Sequence, residues 1–142
     1  MSNDRGIGVA LLGLGVVGSG VARVLLGSGA LLESRAGAPI HVKGILVRNT
    51  QRSRGVQVPT NLLTTDPEGL LNDPGVGVVI ELLGGEEPAR TYIHQALQAG
   101  KHVVTANKEV MAKHGAELME LAAKGGVELL FEASTGGGIP II

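Results

Sequence analysis

The sequence predicts an α/β fold built on a doubly wound parallel sheet, and three observations carry that prediction. Short runs of Val, Leu, Ile and Ala alternate along the chain with segments of helical period. No two of these runs are joined by a hairpin signal, so each return to the sheet needs a crossover, and such crossovers are right-handed. The first run flows straight into a glycine-spaced turn that opens a helix. Residues 1–142 are read as one domain, because a chain of this length supports one core.

The first strand is Val9-Ala10-Leu11-Leu12, followed by Gly13-Leu14-Gly15-Val16-Val17-Gly18. This is the spacing of a dinucleotide-binding turn, and each glycine has its own reason. Gly13 allows the tight turn, Gly15 lacks a Cβ so that a pyrophosphate can approach the backbone, and Gly18 lets the helix pack against the strand. The unpaired amides that open the helix, with Val16 and Val17 at its start, and the positive end of its dipole then form an anion site without a charged side chain. Val17, Val21, Val24 and Leu25 fall on one helical face, and the helix is expected to end near Ser28-Gly29.

Ala30 to Pro39 reads as a connection, and His41 to Val47 as the second strand. Its end carries Arg48-Asn49, then Arg52 and Arg54, and no acid occurs between Glu33 and Asp66. An NAD site places a carboxylate at this strand end for the ribose 2′-OH, whereas an NADP site offers Arg to the 2′-phosphate. A guanidinium is available here and a carboxylate is not; the alternative is that the arginines only solvate a loop. Asp66 to Leu71 suggests a short helix capped by Asp66, with a turn at Asn72-Asp73-Pro74-Gly75.

Val76 to Leu83 is the third strand, and it stops at Gly84-Gly85, small residues that let backbone lie against a ligand at the strand's carboxyl end. Glu86-Glu87-Pro88 opens a helix burying Tyr92, Ile93, Ala96 and Leu97, which Gly100 ends. Lys101 to Ala106 is the fourth strand, with Asn107-Lys108 at its end. A helix from about Glu109 to Lys124 follows, and then a fifth strand from Val127 to Ala133.

Composition narrows the chemistry. A net charge of −1 and two aromatic residues, Tyr92 and Phe131, leave neither a basic field nor stacking platforms for nucleic acid. No apolar run approaches the roughly 18 residues a membrane span needs, and Met1 to Arg5 lacks the parts of a signal peptide, so a cytoplasmic location is expected. The absence of Cys excludes disulfides, thiolate metal sites and a cysteine nucleophile. Hydride transfer needs cofactor placement and one group that handles a proton, and Lys108 is the best-placed candidate for that group. The histidines, His41, His94, His102 and His114, form neither a pair nor a ligand spacing. Glu132, a charge at the end of an apolar strand, is either solvent-facing or held by a partner such as a cation.

Five segments taken together, Gly13 to Gly18, Ile45 to Arg48, Glu81 to Gly85, Val104 to Lys108 and Phe131 to Pro140, resemble homoserine dehydrogenases over essentially the whole chain. The resemblance implies a dinucleotide-binding (Rossmann) domain of an enzyme that interconverts L-homoserine and L-aspartate 4-semialdehyde with NADP(H) or NAD(H) in threonine, methionine and isoleucine synthesis. It implies that Lys108 lies beside the nicotinamide and substrate, that Arg48 faces the adenosine 2′-phosphate, and that Leu83 and Gly84 line the cofactor. It also implies a sodium ion held by Glu132 and the carbonyls of Thr135, Gly137 and Ile139. Members of that family continue into a substrate and dimerisation region and form homo-oligomers. The present chain stops at Ile141-Ile142, and is therefore expected to be a cofactor domain that binds without turnover. Two alternatives stay open: a dehydrogenase of another amino-acid semialdehyde, and a non-catalytic nucleotide-sensing domain.

Overall fold

The computed structural model describes residues 6–51 and 57–131. The strands are β1 (Ile7–Leu12), β2 (Ile40–Leu46), β3 (Leu63–Thr64), β4 (Val78–Glu81), β5 (His102–Thr105) and β6 (Leu129–Phe131). The helices are α1 (Val16–Gly27), α2 (Gly29–Ala36), α3 (Pro67–Leu71), α4 (Ala89–Gln98) and α5 (Lys108–Gly125). All strand pairs are parallel, in the order β3-β2-β1-β4-β5-β6. The chain winds outward from β1 to one edge, returns to its other side and winds to the opposite edge, which is the doubly wound arrangement.

Successive side chains of a strand face opposite sides, so the sheet separates two apolar layers. Ala10, Leu12, Val79, Val103 and Leu129 pack with Ile93, Ala96 and Leu97 of α4 and with Val110, Leu118 and Ala122 of α5. Leu11 and Ile45 pack on the other side with Leu14, Ala22 and Val47. Burying a Leu or Ile side chain contributes roughly 1.5–3 kcal/mol, which makes these layers the main source of cohesion.

Several local expectations are corrected. The segment read as a connection from Ala30 to Pro39 is mostly α2, a helix with no buried side chain that Gly37 closes at φ 80° while donating to Glu33 O at 2.8 Å. Without an apolar stripe, such a helix leaves no periodic trace in sequence. A sixth strand, β3, is added at the edge, two residues long and too short to form a run. On α1 the fully buried positions are Gly18 and Ala22; Val21, Val24 and Leu25 are half-buried, and Val17 is 49% exposed. The helix approaches β1 so closely that only small residues fit at the contact. Asp66 holds the N-cap position of α3 without a capping bond, and its backbone N–H instead donates to Thr64 Oγ1 at 3.0 Å. No single helix among the described residues is long and apolar enough to cross a membrane.

Candidate cofactor site

The sheet's winding reverses beside β1, so the loops leaving β1 and β4 diverge and open a crevice at the carboxyl ends of the strands. A cleft of about 500 Å³ lies there, lined among others by Gly13, Gly15, Arg48, Leu83, Gly84 and Tyr92.

The turn after β1 has three different glycine environments. Gly13, at φ 105°, donates its N–H to Leu46 O at 3.0 Å, and a Cβ on it would stand 3.0 Å from Leu82 O. A Cβ on Gly18 would stand 2.4 Å from Gly13 O. At Gly15 a Cβ would meet nothing within 4 Å, so that face of the turn is open space. Gly15 is the N-cap of α1 and offers no side-chain cap, and the first turn of α1 contains no acid. The opening amides of a helix have no intrahelical acceptor, so a partially positive, unobstructed helix end borders the cleft. Val16 is 93% exposed on that first turn.

Across the cleft, Val47 N–H donates to Thr64 O at 2.8 Å and aligns the end of β2 with β3. Arg48 and Asn49 follow, both exposed, and among the described residues the Arg48 guanidinium has no ion-pair partner. Glu87 also lines the cleft, but its carboxylate accepts from Thr91 Oγ1 at 2.7 Å and Thr91 N–H at 3.3 Å, which ties it to the start of α4.

The third wall centres on a residue the sequence reading passed over. Glu81, the last residue of β4, is wholly buried. One carboxylate oxygen accepts from Thr105 Oγ1; the other accepts from Leu83 N–H at 2.9 Å and from Asn107 Nδ2 at 3.4 Å. Asn107 Nδ2 also donates to Gly85 O at 2.7 Å, while its Oδ1 accepts from Val110 N–H at 3.1 Å and caps α5. Lys108, exposed, is the first residue of that helix. The signal for Glu81 was present in the sequence as an acid inside Val79-Ile80-Glu81-Leu82, a place where an unpartnered charge is costly.

An ion network covers the outer rim between α4 and α5. His114 Nε2 lies 2.6 Å from one Glu86 oxygen and Lys113 Nζ 3.1 Å from the other. Hydrogen bonds from His114 and then Lys113 hold the Glu86 carboxyl below its ordinary value, while Glu109 and Glu86 raise Lys113.

Of the residues singled out from sequence, Gly13, Gly15, Arg48, Leu83 and Gly84 line one cleft. Val16 and Val17 are on the exposed first turn of α1, and Gly18 is buried against Gly13. Lys108 is not among the cleft-lining residues, and it is linked to the cleft wall through Asn107 and Gly85. Arg52, Arg54, Glu132, Thr135, Gly137 and Ile139 lie outside the described residues.

A family profile described as Homoserine dehydrogenase, NAD binding domain, matches residues 13–132. The homoserine dehydrogenase of Bacillus subtilis is 44% identical over 138 residues, which are 97% of this chain and 32% of that protein. That of Synechocystis is 47% identical over 137 residues, 94% of this chain and 30% of that protein. The crystal structure of S. aureus homoserine dehydrogenase at pH 6.0 superposes with a TM-score of 0.86 at 40% identity, covering 97% of this chain and 36% of that one. The chain thus spans about a third of the length of the curated relatives it matches. Matched from its glycine turn to the end of β6, with the sheet order and crevice of a dinucleotide-binding fold, the chain belongs to the family of homoserine dehydrogenase NAD-binding domains.

Proposed function

We propose that this chain, as one domain over residues 1–142, is the cofactor-binding part of a homoserine dehydrogenase. The activity is the interconversion of L-homoserine and L-aspartate 4-semialdehyde, in the synthesis of threonine, methionine and isoleucine, with NADP(H) preferred over NAD(H). The observation that carries this reading is the cleft itself: a bare helix start at Gly15 on one side and Arg48, not a carboxylate, at the end of β2 on the other.

The amides that open α1 hold the diphosphate, with Gly15 admitting it and Gly13 and Gly18 shaping the turn. Val16 and Val17 supply two of those amides. Arg48 faces the 2′-phosphate with a planar pair of donors. Leu83 and Gly84 line the dinucleotide, and Lys108 sits at its nicotinamide end to hold the substrate's oxygen and its proton. The bound nicotinamide supplies the hydride acceptor and donor. The chain spans about a third of its relatives' length, and by itself it binds NADP(H) with negligible turnover. The proposal includes a cytoplasmic location and a homo-oligomer, with no nucleic-acid or membrane partner. The sodium ion that the resemblance implies rests on residues outside those described.

Calorimetric titration of the chain with NADPH and with NADH tests the reading. Binding of both, with NADPH the tighter, is the expected result; binding of neither overturns it.

A further inference from the structure

Glu81 is paired in register with Leu12 of β1 and Thr105 of β5, on the face of the sheet that α4 and α5 cover. A buried carboxylate used only for packing is inferior to an apolar residue of the same volume. Among the described residues no ion pair reaches Glu81, and its partners are instead three donors: Thr105 Oγ1, Leu83 N–H and Asn107 Nδ2. The acceptor character of Glu81 has a directional effect. It draws the NH₂ group of Asn107 inward and toward Gly85 O, which leaves Oδ1 as the group that meets Val110 N–H at the start of α5. Thr105 Oγ1 repeats the link, donating to Glu81 while accepting from Asn107 N–H at 3.0 Å. The Gly84-Gly85 turn, both residues at positive φ, and the first residue of α5 come from different βα units and are joined by this bridge.

We propose that Glu81 is a positioning residue: acting through Asn107, it sets where Lys108 and the Gly84-Gly85 turn stand against the nicotinamide end of the cofactor. The inference rests on the proposed cofactor site.

The test uses the chain and two ligands, NADPH and 2′-phospho-ADP-ribose, which keeps the adenosine and diphosphate groups but lacks nicotinamide. Glu81→Gln is expected to weaken NADPH about three- to tenfold while 2′-phospho-ADP-ribose stays within about twofold, because only the nicotinamide half meets the Lys108 wall. In a Lys108→Ala background the same substitution is expected to add nothing further, the mark of two residues acting as one unit. Equal weakening of both ligands, or losses that add, shows a merely structural role and overturns the proposal. If Glu81→Gln does not fold by circular dichroism, Thr105→Val, which leaves the carboxylate in place with one donor fewer, is read by the same criteria. Failure of the unmutated chain to bind either ligand overturns the cofactor reading itself, an outcome distinct from binding with additive losses.

Discussion

Gly18 stands so close to Gly13 that a Cβ on it would lie 2.4 Å from the Gly13 carbonyl oxygen. Helix and strand turn are therefore in backbone contact, and that contact aims the open end of α1 at the cleft. Gly18→Ala is expected to cost about 1–3 kcal/mol, since only backbone could move to relieve the clash. Gly15→Ala meets no atom within 4 Å and is expected to leave stability within about 0.5 kcal/mol while weakening NADPH binding. Denaturant unfolding of both variants beside NADPH titration checks the pair; equal stability losses would contradict it.

On the proposed reading, Arg48 sets the preference between the two dinucleotides. Removing a guanidinium that grips a phosphate is expected to lower affinity about ten- to a hundredfold, the scale of a charged hydrogen-bonded contact. Arg48→Ala should show that loss for NADPH and almost none for NADH. A loss of the same size for both ligands would move Arg48 away from the 2′-phosphate.

Lys101 is 5% exposed at the start of β5, and its Nζ donates to the carbonyls of Asp73 and Val76, each at 2.8 Å. Lys101→Met keeps the stem and removes the Nζ donor from both carbonyls, leaving Asp73 O with only the Val76 N–H at 3.0 Å, at an expected cost of about 1–3 kcal/mol. The clamp lies at the amino end of the sheet and none of its residues lines the cleft, so NADPH affinity titrated under native conditions should keep the unmutated value.

The rim network gives stability a pH dependence of definite sign. His114 and Lys113 depress the Glu86 carboxyl below 4.5, so its contribution is present above that value and is lost as pH falls through the lower, folded-state value. Glu86→Gln should therefore be less stable than the unmutated chain near neutrality, with the difference vanishing in acid. Unfolding curves across that range check it, and a difference that grows in acid would reverse the assignment. Lys113 has the opposite sign: raised above 10.5 by Glu109 and Glu86, its contribution is full below that value and is lost as pH rises through the folded-state value.

What could be read in the chain was read where the signal is local. The turn from Gly13 to Gly18 and the four central strands came from patterns a few residues long. The helix α2 and the edge strand β3 escaped because neither has an apolar stripe, being surface or edge structure held by backbone bonds. The apolar period of α1 does not mark its inward line, which runs through Gly18 and Ala22, because close approach at Gly18 selects small residues.

The sequence by itself determined the succession of elements apart from α2 and β3, the phosphate-type turn and the lack of an acid at the end of the second strand, since these follow from spacing and composition over short stretches. Only the tertiary structure decided that Glu81 is buried among donors, because Thr105 and Asn107 lie 24 and 26 residues away along the chain. Parallel pairing of β4 with β5 brings them together, and burial there turns an ordinary carboxylate into a group that must be hydrogen-bonded.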